Sequence, residues 1–264
     1  MAEFTDRLRR LPNDTAASLS FFSRLPVEAP AGPFNLSRSA GGWPLAGIIL
    51  AVVPALDVVI NAWLGIPPLV SAFLVVAIGV ALTGALHEDG LADTFDGIVG
   101  GRNPPERLYI MRDSRLGVFG VLALILSVAV RAAALSALIV VPADAVLALI
   151  GVAAVSRALA LWHWSTTEPA RTDGMAFDGR RPDTEALQIG LLTGLIAWLV
   201  LLVVFGFAAL LGLVVAMLAI AFHSSFVNRR IRGHTGDTIG AAQQITETLF
   251  LACLSAAATA TVIA

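Results

Sequence analysis

Residues 87–120 read HEDGLADTFDGIVGGRNPPERLYIMRDSRLGVFG, and the rest of the chain is arranged around them. Four acids, Glu88, Asp89, Asp93 and Asp96, fall within the first ten positions. Asp89, Asp93 and Asp96 are spaced i, i+4, i+7, so a helix puts them on one face. Like charges at that spacing repel, and a bound cation relieves the repulsion. Hard divalent ions take carboxylate oxygens, and Mg²⁺ sits on one or two carboxylates plus substrate phosphates. Gly90, Gly97, Gly100 and Gly101 let backbone approach a ligand, and Arg102, Arg107, Arg112 and Arg115 follow as fork-shaped phosphate donors. A solvated charged loop explains the charges but neither the register of the acids nor the glycines. The stretch reads as a phosphoryl-transfer site.

Composition sets the surroundings. Of 264 residues 57% are hydrophobic and 14% charged, against about a quarter charged in soluble domains. That indicates an all-α integral membrane protein with many spans. The net charge of −2 is segregated along the chain, and no nucleic-acid partner is expected. Cys253 is the single cysteine, which excludes disulfides and Cys-based metal sites. The first forty residues are too polar and arginine-rich for a signal peptide.

Residues 1–42 form a basic leader ahead of a single transmembrane helical domain, 43–264. Ala16, Leu19, Phe22 and Leu25 predict an amphipathic segment on the membrane surface, after a disordered tail over 1–14. A span needs about 20 apolar residues. Candidates are 43–65, 69–86, 118–141, 145–164 with its Trp162-His163-Trp164 interface cluster, and 248–264. The 41 apolar residues 187–227 would make a helix of roughly 61 Å, twice a bilayer core, so a hairpin breaking near Gly206 is expected. That totals about seven spans. All seventeen basic residues are arginine. With seven spans all but two fall on one side, together with the site loops 87–117, 165–185 and 228–244. The positive-inside rule makes that side cytoplasmic, in a bacterial inner membrane. The two exceptions, Arg131 and Arg157, lie within spans, as does Asp57. Equal depth predicts a structural Asp57–Arg131 pair, while Arg157 lies near enough to the cytoplasmic end to reach an anion.

Two further constellations complete the pattern. Residues 168–174 carry Arg171, Thr172, Asp173 and Gly174, and 229–241 read RRIRGHTGDTIGA. Glycines and threonines present donors to phosphate, and Asp237 completes a metal shell begun by the first stretch. A basic anchoring turn accounts for the arginines but not for Gly236-Asp237-Thr238-Ile239-Gly240. His163, His223 and His234 read as structural; His87 adjoins the acids.

At these residues the sequence resembles the cobalamin synthase family, the adenosylcobinamide-GDP ribazoletransferases. HEDGLADTFDG is similar to that family's His-x-Asp-Gly-Leu-Ala-Asp-x-x-Asp-Gly block, and residues 110–120 to its Met-(Lys/Arg)-Asp-Ser-Arg block. Ser156-Arg157, 170–174, 235–241 and Phe22 to Val27 match further blocks in order. Arg232 stands where a glycine is expected, and Gln244 where an acid is expected. The resemblance implies an enzyme joining adenosylcobinamide-GDP to α-ribazole or its 5′-phosphate, releasing GMP, with Mg²⁺, at the lipid bilayer. It implies Asp89, Asp93, Asp96 and Asp237 as metal ligands. Arg112, Ser114, Arg115, Arg157, Arg171, Thr235 and Gly236 then bind substrate, and His87 or Asp113 takes the nucleophile's proton. A homo-oligomer is compatible with the pattern. A CDP-alcohol phosphotransferase would also use aspartates with Mg²⁺, but its Asp-Gly-x-x-Ala-Arg arrangement is missing. A transporter would place its polar groups at mid-membrane between broken helices.

Overall fold

The structure, a computed structural model, describes residues 2–28, 35–173 and 179–263; Gly174 lies outside them. Regular structure there is helical, with one isolated bridge between Pro169 and His234. The helices are α1 (Ala2–Phe22), α2 (Leu36–Ser39), α3 (Trp43–Trp63), α4 (Pro68–Thr83), α5 (Leu86–Gly100) and α6 (Pro104–Ile110). They continue as α7 (Val118–Leu138), α8 (Pro142–Thr166), α9 (Thr184–Phe205), α10 (Phe207–Ile231) and α11 (Gly236–Ile263).

Five helical segments, including α7 to α10 and the stretch ending in α3, are long and apolar enough to cross a bilayer. The protein is an all-α polytopic membrane protein. A sixth span arises only if α4 and α5 are counted as one broken unit, bent by 90°. The bend has a local cause. Gly84 and Ala85 both adopt left-handed backbone, φ 62° and 60°, and Ala85 does so at a cost of about 1–2 kcal/mol. Arg24 donates its backbone N–H to the Leu82 carbonyl at 2.7 Å, tying the leader to this corner. α4 carries the apolar part of that unit, and α5, with its four acids, turns away from it. Of the segment 248–264, expected as a seventh span, the described residues 248–263 are the second half of α11, whose first half is polar.

The break near Gly206 occurs as expected, with α9 ending at Phe205 and α10 starting at Phe207. Several other expectations are corrected. Residues 87–117 are mostly helix rather than loop, and only 232–235 separate α10 from α11. The leader is helical from Ala2, not disordered over 1–14. Its apolar stripe meets protein instead of lipid: Leu19 and Phe22 are buried with Leu36, Trp43, Leu161, Trp164 and Ile239. Trp164 is therefore core and not an interface anchor; it donates its indole N–H to the Arg180 carbonyl at 2.8 Å. A second apolar core, among α3, α4 and α7 to α11, contains Val75, Leu135, Val152, Leu201 and Phe250.

The Asp57–Arg131 pair does not form. Asp57 accepts from the Asn61 amide at 2.7 Å, while Arg131 faces Glu88 of α5 at 3.1 Å and Glu247 of α11 at 3.3 Å. Equal depth failed as an argument because it said nothing of which neighbour α7 faces. Gln244 joins this cluster, donating to Glu88 at 3.2 Å and accepting from Ser127 at 3.3 Å. Arg232, where a glycine was expected, has φ 61° and ends α10 in left-handed backbone.

Candidate active site

The three sequence constellations meet at one place. Loop 167–170 pairs with loop 232–235: Ala170 N–H donates to the His234 carbonyl at 2.8 Å, and His234 N–H to Glu168 at 2.9 Å. Gly233 permits this, because a Cβ there would lie 2.3 Å from the Glu168 carbonyl oxygen. On the other side a Cβ on Gly90 would lie 2.8 Å from the Asp237 carbonyl oxygen. The first turn of α11 is thus pressed against α5 beside Asp89.

That first turn is built by its threonines. The Thr235 hydroxyl accepts from Thr238 N–H at 3.3 Å, and Thr235 N–H donates to the Thr238 hydroxyl at 3.0 Å, a reciprocal cap. Thr235 also donates to Asp237 at 3.2 Å. Its hydroxyl is therefore engaged within the turn, and the free N-terminal amides of α11 are what faces an anion. Beneath it His163 bridges the Ser224 and Thr238 hydroxyls at 2.8 and 3.3 Å, and His223 contacts the Thr238 carbonyl at 3.0 Å. His163 and His223 are thus engaged within the protein, whereas His234, set against Thr167, also lines the cavity.

A cavity of about 260 Å³ opens here, lined by His87, Asp89, Arg157, Arg171, Asp173, Thr235, Gly236 and Asp237, and closed inward by Phe21, Phe22 and Trp43. A smaller one of about 80 Å³ lies between the two apolar cores, with Glu88, Arg131 and Glu247 in its wall; His87, Arg157 and Gln243 line both.

Negative charge dominates one wall. Burial, then the charges of Asp89, Asp237 and Asp96, push the Asp93 carboxyl up to about 7, only partly offset by Arg171. Burial also raises Asp237, against Arg171 at 3.6 Å. Among the described residues no three His, Cys, Asp or Glu side chains already form a ligating group. Asp89, Asp93 and Asp237 supply carboxylate oxygens of the hard kind that Mg²⁺ takes one or two at a time, beside phosphate and water.

Asp96 is different. Its two oxygens accept from Gly117 and Gly120 N–H at 2.7 and 2.8 Å, capping the N-terminus of α7. The helical register that grouped it with Asp89 and Asp93 is real, but its side chain is buried and engaged.

Cationic groups separate in the same way. Arg157 is buried in the cavity wall, donating to Ala153 at 3.0 Å with its Nε unpartnered. Arg171 lines the cavity, and Arg112 pairs with Asp173 beside it. Arg107 is spent on the Ile98 and Arg230 carbonyls. Ser114 and Arg115 are exposed and do not line the cavity. Asp113 is held by Arg115 at 2.6 Å, and those hydrogen bonds pull its carboxyl down to about 2. His87 is buried against Phe22, and burial, with Arg157 and Arg131 nearby, keeps its imidazole neutral. Phosphate charge brought to Arg157 by a substrate would offset one of the causes that lower its proton affinity and make the neutral ring a better proton acceptor.

Sequence reasoning missed Phe21, Trp43, Gln243 and Glu247. The aromatic pair in the leader carried the one available signal.

A family model of cobalamin-5-phosphate synthase matches residues 14–255. The chain belongs to this family. Its relatives include an adenosylcobinamide-GDP ribazoletransferase of Rhizobium etli, strain CIAT 652, 45% identical over 92% of this chain and 96% of the relative. One of Sinorhizobium medicae is 42% identical over 95% and 98% of the two chains, and one of Azorhizobium caulinodans 42% over 93% and 96%. No solved structure matches. As a member of the cobalamin-5-phosphate synthase family the chain is a transferase of cobalamin synthesis. The matched region includes the cavity-lining Phe22, Asp89, Arg157, Arg171 and Asp237, and Asp93 beside them.

Proposed function

We propose that this protein joins adenosylcobinamide-GDP to α-ribazole or α-ribazole 5′-phosphate, giving adenosylcobalamin or its 5′-phosphate and GMP. The observation that carries the reading is the convergence of the acids of α5, the Arg171 loop and the first turn of α11 on one cavity. Asp89, Asp93 and Asp237 would hold Mg²⁺. Bound there, the ion neutralises charge on the pyrophosphate and the departing phosphate. Arg157 and Arg171, with the α11 amides, hold the phosphate oxygens. A ribazole hydroxyl oxygen forms a bond to the phosphorus next to cobinamide, the bond from that phosphorus to the GMP oxygen breaks, and GMP leaves with the electron pair. His87, neutral and beside Asp89, takes the hydroxyl proton. Positioning and charge supply most of the acceleration.

The test is GMP release from the full chain in lipid nanodiscs, supplied with adenosylcobinamide-GDP, α-ribazole and Mg²⁺. Release that needs all three supports the reading; no release would remove it. The basic side is assigned to the cytoplasm of a bacterial inner membrane. Thr172→Cys in a Cys253→Ala background should react with an impermeant thiol reagent from that side alone, and reaction from outside would reverse the orientation.

A further inference from the structure

We infer that the inner, aromatic end of the large cavity is the seat of the flat base of the nucleoside acceptor, and that the guanine of the other substrate stays outside it. The inference rests on the activity proposed above and assigns which substrate occupies which part of the site. The chamber's walls are rings. Phe22 meets Trp43 edge-on at 5.0 Å and stacks on His87 at 5.4 Å, and Trp43 in turn stacks on Trp164 at 5.1 Å. Arg157 lies 5.9 Å over the Phe22 ring. Aromatic walls of this kind take a planar ring by stacking.

Two polar atoms in this wall are unsatisfied. Trp43 is 2% exposed and Arg157 5%, yet the Trp43 indole N–H and the Arg157 Nε–H have no hydrogen-bond partner. Buried polar groups are nearly always paired, so an orphaned donor in a cavity wall calls for an acceptor from a ligand. Both orphans are donors. Of the carboxylates lining the cavity, Asp237 pairs with Arg171 and Asp173 with Arg112, and Asp89 belongs to the acids proposed to hold the metal.

A donor-bearing aromatic chamber selects among bases. Ribazole carries a benzimidazole, which has no N–H on its base when joined to the sugar and offers ring π-faces with one acceptor nitrogen. Guanine's O6 and N7 could accept from these donors, but its N1–H and N2–H groups would be buried among rings without acceptors, a cost that the benzimidazole does not carry. A lipid acyl chain would leave the indole N–H and guanidinium orphaned. Size points the same way. At about 260 Å³ the cavity is below the roughly 300–1,000 Å³ of pockets that swallow drug-sized ligands, which suits a ring with its sugar and excludes a corrin macrocycle. With the base inward, the sugar faces Asp89 and Asp237, where the phosphates of the partner substrate are bound from the open side.

The experiment separates the two substrates kinetically, using the full chain in nanodiscs with Mg²⁺. Phe22→Ala is expected to raise KM for α-ribazole roughly ten-fold, the size of one base–aromatic stack, while KM for adenosylcobinamide-GDP stays unchanged. Trp43→Phe, which keeps the ring and removes the N–H, should shift the same constant in the same direction by a smaller factor. A rise in KM for adenosylcobinamide-GDP in either variant, or no rise in KM for α-ribazole, would overturn the assignment. Wild-type protein gives an arm free of folding effects. With no second substrate, α-ribazole should quench tryptophan fluorescence saturably and guanosine should fail to compete; competition by guanosine would overturn the assignment too. Wild-type protein that releases no GMP defeats the proposed activity, whereas GMP release with shifted constants in the wrong substrate defeats the subsite alone.

Discussion

Glu88 and Asp89 are neighbours in the chain and belong to two acid clusters with opposite fates. Glu88 turns into the bundle, where Arg131 is 3.1 Å away, Gln244 donates to it and Glu247 completes the group. Asp89 and Asp237 face the cavity with Asp93 close behind them, and burial followed by the charges of its neighbours raises the Asp93 carboxyl. With Arg157 also acting on Glu88 and Glu247, one cluster is balanced by two arginines; the other is short of positive charge. Balanced acids hold the helices α5, α7 and α11 together, and the unbalanced ones are those that would receive the proposed Mg²⁺. The difference is also visible in Asp96, a member of the same helix face that was drawn to the balanced side by capping α7.

The largest effect should come from the unbalanced cluster. Asp93→Asn is expected to lower turnover by roughly 10³-fold, the scale of losing one essential charge-stabilising element. The same change removes repulsion, so the metal-free protein should melt no lower than wild type. GMP release and thermal melting measure the two halves. Turnover near wild type at saturating Mg²⁺ would end the metal assignment.

Arg131→Met should do the reverse. Removing one partner of a buried ion pair costs about 3–5 kcal/mol, here leaving buried Glu88 without its close guanidinium and with only the more distant charge of Arg157. The loss should appear in unfolding of the detergent-solubilised protein. Asp57→Asn serves as the contrast, because Asp57 is bonded to Asn61 and not to Arg131. Equal destabilisation by the two changes would break the distinction.

A smaller effect is expected from pH. The Asp93 carboxyl is raised by folding, from the ordinary 3.8 to about 7. A raised acid favours the folded state below its unfolded value and loses that contribution as pH climbs through the folded one. Metal-free protein should therefore melt progressively lower between about pH 4 and 7. Mg²⁺, competing with the proton, should restore stability most strongly above pH 7. A melting curve insensitive to pH in Asp93→Asn, beside a sensitive wild type, ties the effect to this residue.

These contrasts mark where the sequence could be read. Apolar run lengths, the Gly206 break and the i, i+4, i+7 acids follow from local periodicity, and all three recur in the structure. Asp237 was reachable because a Gly-Asp-Thr turn has few other uses. What periodicity could not show is which face of α7 meets which helix, and Arg131 was paired wrongly for that reason. It also could not show that α1 docks on the bundle, so the aromatic end of the cavity went unread. Asp96 and Arg107 look like site residues by type and spacing; only their partners reveal that they serve α7, α5 and α10.

The smallest effect concerns the acid that sequence placed beside His87 as a candidate base. Asp113 is linked to Arg115 through both oxygens, with the Arg115 backbone N–H adding a further bond at 3.1 Å. Those bonds hold its carboxyl at about 2, and a base that weak takes little from a hydroxyl near neutral pH. It is also absent from the walls of both cavities. Asp113→Asn is accordingly expected to keep turnover within about two-fold of wild type, while His87→Gln should lose on the order of 10²-fold or more, the usual contribution of a positioned base. Steady-state GMP release on the two variants measures the contrast. A loss in Asp113→Asn as deep as that in His87→Gln would mean that loop 111–117 folds over the phosphates during turnover, bringing Asp113 and Arg115 to the reacting groups. In that event the boundary between balanced and unbalanced acids would move with substrate instead of being fixed by the fold.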